Sequence, residues 1–251
     1  MLLPKNHPKG RDALIGFGAN LGEAQSMFRW ATDQLRASPW IERLDASRLH
    51  RTKSIGTEPA PDYWNAVFKV RVAESTTPQT LLRFLSECEN RAGRARTRHW
   101  GARNIDLDLL LFGEEIAINP PTCIVPHPMI PWRRFVLEPA LEIAPQMRHP
   151  LVDCSLRELY DRLNTTSRPK WRRILRGDFD YFEFESCDFW VWDSSESIPQ
   201  ECLRRARALR VPILNKNWVC RQPSDAMDFD VLVHLALSEY GAPPAALFET
   251  S

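Results

Sequence analysis

The chain has 251 residues, a formal net charge of +1, 43% hydrophobic residues and 26% charged residues. Those values fit a soluble globular protein of one large or two modest domains and argue against a nucleic-acid binder that works by bulk charge. The opening MLLPKNHPKGRD is too short an apolar run for a signal peptide, no later run approaches a membrane span, and the six cysteines form no CxxC pair, so a cytoplasmic protein with reduced, mostly buried thiols is expected.

In chain order, residues 1–11 read as a loose arm and Ala13 to Phe17 as a first strand. Gly18-Ala19-Asn20-Leu21-Gly22 is then a strand-to-helix turn, either a tight connection or a place where backbone N–H groups approach an anion. Ala24, Met27, Phe28, Ala31 and Leu35 keep helical spacing, which predicts an amphipathic helix over residues 23–37. A second strand is expected over residues 41–51. The stretch from Arg51 to Asp62 is turn-forming throughout and long for a connection, as functional loops often are. Residues 64–73 alternate Trp64, Ala66, Phe68, Val70 and Val72 with polar neighbours, a strand with one buried face. Thr77-Pro78 is an N-cap followed by proline, and Leu81, Leu82, Leu85 and Cys88 carry a helix to about Arg91.

The segment from Arg91 to Phe112 is the chemical centre of the chain. Arg91, Arg94, Arg96, Arg98 and Arg103 share a glycine-punctuated loop without a carboxylate, and Ile105 to Phe112 is a buried strand interrupted by Asp106 and Asp108. Alternation puts both aspartates on one face, where two carboxylates repel by about 4 kcal/mol at about 4 Å and an effective dielectric near 20. Either neighbouring arginines or a hard divalent cation can neutralise them. Beyond Gly113, Glu114 to Ile118 is expected to return as a hairpin partner, and Val125-Pro126-His127-Pro128 is a stiff extended segment. Short helical turns over Phe135 to Leu141 and a last helix from about Ser155 to Leu163 close the unit. The order β-α-β-β-α-β-β followed by small helices implies an α+β, ferredoxin-like sandwich with a mostly antiparallel sheet.

Several motifs then fall in one order: Gly18 to Gly22, Thr52 to Gly56, Pro61 to Asn65, Gly93-Arg94, Arg98 to Arg103, Ile105 to Asp108, Val125 to Pro128, and Arg133 to Pro139 followed by Glu142 to Pro145. Over about residues 13–163 the chain resembles the 6-hydroxymethyl-7,8-dihydropterin pyrophosphokinases of the folate pathway. The resemblance implies transfer of the β,γ-pyrophosphoryl unit of ATP to a reduced pterin, with release of AMP. It implies two Mg²⁺ ions on Asp106 and Asp108, and Arg94 and Arg103 on the phosphates. Trp100, His127 and Arg133 would stand on the nucleotide side. Tyr63 and Phe135 would sandwich the pterin, Asn65 would read its edge, and the backbone at Ile55 would add edge contacts. Ala19 stands where that family usually has Ser, and Pro128 where some members carry an aromatic residue, so altered affinity rather than lost activity is expected.

The resemblance ends near Leu163. Residues 164–167 form a polar linker, and Arg168 to Arg173 reads as a solvated basic continuation rather than a nucleic-acid contact. Phe179 to Phe184, Phe189 to Trp192 and Val211 to Leu214 read as strands and Ile198 to Leu209 as a helix, so residues 164–251 are expected to form a small α/β extension. Cys202 to Val219 faintly resembles the second half of a BRCT-like module, and an unidentified protein is the partner expected for this tail. The rival to an enzyme is a scaffold whose working part is the tail; intact Asp106, Asp108, Arg94 and Arg103 favour the enzyme. A chain ending near Leu163 is expected to keep its activity.

Overall fold

The computed structural model describes residues 10–52, 61–93, 104–119, 122–165, 171–174, 189–192 and 198–215. Strand β1 (Arg11–Ala19) is followed by helix α1 (Ala24–Ala37), strands β2 (Ile41–Ala46), β3 (His50–Thr52) and β4 (Tyr63–Val72), helix α2 (Pro78–Arg91) and strand β5 (Asp106–Phe112). The sheet runs β2-β4-β1-β5 with β3 also on β4, and the pairings are antiparallel. With β3 set aside, that is the expected ferredoxin-like order.

Period-2 alternation sorts the two faces. Ala13, Ile15, Phe17, Ala66, Phe68, Val70, Leu107 and Leu109 are buried against Ala31 and Leu35 of α1 and Leu81, Leu85 and Cys88 of α2. Phe28 of α1 stacks on Phe68 at 5.1 Å between ring centroids. Helix α2 starts as its sequence predicts: Thr77 Oγ1 accepts the Thr80 N–H at 3.2 Å, with Pro78 at the first turn. The opposite face presents Leu14, Val67 and Leu110 to helices α3 (Arg134–Ile143) and α4 (Leu156–Thr165). A capping box opens α4, with Ser155 N–H donating to Glu158 and Glu158 N–H donating to Ser155 Oγ.

In this unit the structure departs from three expectations. The strand expected over residues 41–51 is broken because Ser47, 5% exposed, enters the β4 ladder with its side chain: its N–H donates to Val67 O, and its Oγ accepts the Val67 N–H, both at 2.9 Å. The segment after Gly113 does not return along β5. Gly113 (φ 56°) turns the chain and donates to Asp12 O at 2.7 Å, and Ala117–Asn119 (β6) pairs with Cys123–Val125 (β7) instead. The helical turns expected over Phe135 to Leu141 are one continuous helix, α3, despite Pro139 inside it.

In the C-terminal unit, the stretch read as a solvated basic continuation contains a strand. After the short antiparallel pair β8 (Arg148–His149) and β9 (Cys154–Ser155), Trp171–Ile174 (β10) pairs in parallel with Phe189–Trp192 (β11), which pairs in parallel with Ile213–Asn215 (β12), with helix α5 (Gln200–Leu209) before β12. The edge strand expected over Phe179 to Phe184 lies outside the described residues. The core of this unit (Trp190, Trp192, Ile198, Cys202, Ala206, Val211, Ile213) packs against Ile118, Ile124 and Leu151 of the preceding unit. Helix α4 continues to Thr165, so an end at Leu163 would cut it and bare those three side chains.

Beneath the seam lies a cavity of about 20 Å³, room for one water, lined by residues that include His149, Pro128, Pro131, Leu203 and Val211. Among the described residues, the cysteines Cys88, Cys123, Cys154 and Cys202 are free and buried, as expected. Burial pushes the Cys88 thiol up to about 11 and that of Cys202 up to about 12, so neither carries a reactive thiolate at neutral pH.

Candidate active site

A single row across three strands builds the site. Gly18 of β1 is in register with Asn65 of β4 on one side and with Asp106 of β5 on the other. Two strand spacings separate those two side chains by about 10 Å, with backbone alone between them. A Cβ at Gly18 would already lie 3.7 Å from Asn65 Oδ1 and 3.8 Å from Asp106 Cβ, so any larger side chain there would fill the gap. Gly16 is in register with Asp108 one step along. Asp106 and Asp108 are both half-buried and share a face of β5, and Leu110, next on that face, is buried in the α3–α4 core. The two aspartates therefore stand at the end of the sheet face that α3 and α4 leave uncovered.

Tyr63 lies two residues before Asn65 on β4 and hence on the same side. Asn65 is 6% exposed and donates its amide N–H to Thr52 Oγ1 at 2.8 Å, which turns its Oδ1 toward Gly18. Phe135 is in the first turn of α3, half-buried on this face, and the Arg133 guanidinium lies 5.4 Å from its ring centroid. His127 is tied to β5 through its backbone, its N–H donating to Leu110 O at 2.8 Å, while its Nδ1 accepts the Met129 N–H at 3.2 Å. A neutral ring held this way carries its proton on Nε2. Tyr63, Asn65, Asp106, Asp108 and Phe135 are thus gathered on one sheet face, and His127 and Arg133 frame the segment leading into α3. Ile55, Arg94, Trp100 and Arg103 lie outside the described residues.

Two supporting residues were given no role at the sequence level. Glu89 is 3% exposed, and its Oε1 accepts the Leu107 N–H at 2.8 Å. Leu107 sits between the two aspartates on the outer strand of the sheet, where β1 covers one edge only, so this carboxylate from α2 fixes the strand that presents them. A signal existed: Glu89 falls on the helix stripe of Leu81, Leu85 and Cys88, where a charge requires a partner. Glu142 at the end of α3 accepts the Arg48 N–H at 2.9 Å, the Arg48 guanidinium at 3.0 Å and contacts His50 Nε2 at 2.8 Å. Burial alone would raise its pKa, but the Arg48 N–H and guanidinium and the His50 ring outweigh it and hold the carboxyl down to about 2. This clamp fastens α3, and with it Phe135, to the edge of β3.

The donor set suits a hard cation. Asp106 and Asp108 offer carboxylate oxygens, and no group of three or more His, Cys, Asp or Glu gathers among the described residues. The remaining ligands would be phosphate oxygens and water, which is how Mg²⁺ is commonly held.

The family model described as 7,8-dihydro-6-hydroxymethylpterin-pyrophosphokinase (HPPK) matches residues 14–145. The chain is 33% identical over 155 residues to the 2-amino-4-hydroxy-6-hydroxymethyldihydropteridine pyrophosphokinase of Synechocystis sp., which covers 62% of this chain and 77% of that protein. To the enzyme of the same name from Haemophilus influenzae it is 36% identical over 138 residues, 55% of this chain and 84% of that one. To the folic acid synthesis protein fol1 of Schizosaccharomyces pombe it is 32% identical over 155 residues, 62% of this chain but 21% of that longer protein. The family match stops before β8 (Arg148–His149), so the C-terminal unit lies outside it.

Proposed function

The chain belongs to the 7,8-dihydro-6-hydroxymethylpterin-pyrophosphokinase family, and from that premise we propose that it transfers pyrophosphate from ATP to 6-hydroxymethyl-7,8-dihydropterin in folate biosynthesis. The acceptor hydroxyl oxygen bonds to the β-phosphorus, the bond from that phosphorus to the α-phosphate oxygen breaks, AMP leaves, and the hydroxyl proton is lost. The observation that carries this reading is the row Asn65–Gly18–Asp106, a flat, side-chain-free floor between an amide and a carboxylate.

Asn65 has a donor and an acceptor with which to read a pterin edge, and Thr52 holds that amide in one orientation. Tyr63 and Phe135 form the two walls of a slot for a planar ring. The backbone at Ile55 adds edge contacts. Asp106 and Asp108 would hold two Mg²⁺ ions, which would neutralise phosphate charge and lower the pKa of the acceptor hydroxyl. Arg94 and Arg103 engage the phosphates, where their charge matters most as the transition state develops. Trp100, His127 and Arg133 take the nucleotide side, and Glu89 anchors the β5 backbone between Asp106 and Asp108.

We place the reaction in the cytoplasm; no helix among the described residues is long and apolar enough to cross a membrane. We divide the chain into a kinase unit, residues 1–163, and an extension, residues 164–251. The extension remains a candidate to bind another protein, although its core already packs on Ile118, Ile124 and Leu151 of this chain.

Separate titrations of the two ligands test the site. Tyr63→Ala and Phe135→Ala should each weaken pterin binding by about 1–3 kcal/mol through the loss of one stacking wall. ATP affinity should be kept within a factor of about two, well under 1 kcal/mol. Equal losses for both ligands would mean general unfolding and would remove the slot from the account.

A further inference from the structure

The segment from Val125 to Arg133 is held from two sides. On one side Met129, Ile130 and Trp132 are buried in the core formed with α3 and α4. Tight turns bind it internally, with Ile130 N–H donating to His127 O, Trp132 N–H to Met129 O and Arg133 N–H to Ile130 O, at 3.2 to 3.3 Å. On the other side Pro128 and Pro131 face Leu203 and Ala206 of α5 and Val211, Pro212 and Ile213 beyond it, across the small cavity. The β6–β7 hairpin that feeds the segment also leans on the C-terminal core through Ile118 and Ile124.

The attachment has a polar hinge point as well. Arg210 closes α5 in the left-handed conformation (φ 55°), its guanidinium pairs with Glu158 of α4 at 3.0 Å, and its carbonyl accepts from Arg162. The C-terminal unit is therefore fixed to α4 and wedged against the two prolines that lie between His127 and Arg133.

We propose that the C-terminal unit is a positioning element for the nucleotide side of the site: α5 and the strand after it hold the Pro128–Pro131 turn, and through it His127 and Arg133. This rests on the reading that those two residues face ATP. In a kinase unit without the wedge, the turn would have packing on one side only, and an open turn between two ligand-binding side chains lets both wander. Leu203 and Val211 then act on catalysis through other residues and touch no substrate themselves.

The test uses the full chain and reads binding rather than turnover. The affinities of wild type and Leu203→Ser for Mg²⁺-α,β-methylene-ATP and for 6-hydroxymethylpterin are measured separately by calorimetry. The expected result is a three- to tenfold weaker nucleotide affinity with pterin affinity within twofold, and recovery in Leu203→Met. Arg210→Gly, which removes the pair with Glu158 but suits the left-handed backbone, should weaken nucleotide affinity at least threefold with pterin affinity within twofold; it decides the matter if Leu203→Ser does not fold. Unchanged nucleotide affinity, or equal losses for both ligands, overturns the proposal. Failure of the proposed reaction would show separately, as a wild type that makes no AMP, while the nucleotide comparison still decides the role of the wedge.

Discussion

Asp106→Asn and Asp108→Asn are each expected to reduce AMP formation about a thousandfold or more, since a bound metal contributes several kcal/mol of charge stabilisation in the transition state. Each substitution removes one negative charge from a pair on one strand face and keeps the side chain's shape. Both positions are half-buried at the open end of the sheet, and the backbone at Leu107 stays anchored on Glu89, so the thermal midpoint should scarcely move. Steady-state rates across a Mg²⁺ titration, with melting curves alongside, separate chemistry from folding. Near wild-type rates at millimolar Mg²⁺ in either variant would remove the two-metal assignment.

The second large effect lies at the seam between the two units. His149 is 3% exposed, and neither ring nitrogen has a hydrogen-bond partner among the described residues. Burial lowers its pKa to about 3 from the ordinary 6.5. Its neighbour Arg148 is occupied by Asp153 at 2.8 Å. A histidine with a depressed folded pKa binds more protons unfolded than folded between those two values. Stability therefore falls as the pH drops below about 6.5, by about 1.4 kcal/mol per unit, and the loss saturates below the folded value.

Carboxylates held low in the fold, Glu142 and Glu158 among them, lose their contribution only below about 4.5, so the window from pH 7 to 5 isolates the histidine. Over that window wild type should lose about 2 kcal/mol relative to His149→Phe, from urea midpoints at each pH. Parallel pH profiles for the two proteins would show that His149 is open to water in solution.

Much of this architecture was legible because its signals are local. Asp106 and Asp108 interrupt an apolar run at alternate positions, and alternation alone places them on one face. Thr77-Pro78 announces α2, and the order of periodic segments implies the sandwich that β2-β4-β1-β5 realises. What escaped depends on partners far away in sequence. Nothing around Ser47 says that its hydroxyl will replace a rung of the β4 ladder, and nothing around Gly113 says that its N–H goes to Asp12 rather than into a hairpin. Trp171–Ile174 carries two arginines and looks solvated until β11 lies beside it in parallel. The seam escaped for the same reason, since Ile118 and Leu203 are unremarkable apolar residues until the C-terminal core packs against the hairpin. Of the site itself, the row through Gly18 needed the register, whereas the identities of Asn65, Asp106 and Asp108 did not.

An intact pyrophosphoryl unit should pass to the pterin between Asn65 and the aspartates, and one labelling experiment follows it. Wild-type protein is incubated with Mg²⁺, 6-hydroxymethyl-7,8-dihydropterin and ATP labelled at the β-phosphorus. Every label released from ATP should then appear in the pterin product, with unlabelled AMP formed one for one and only when the pterin is present. Label recovered in ADP, or AMP formed without the pterin, would contradict the account.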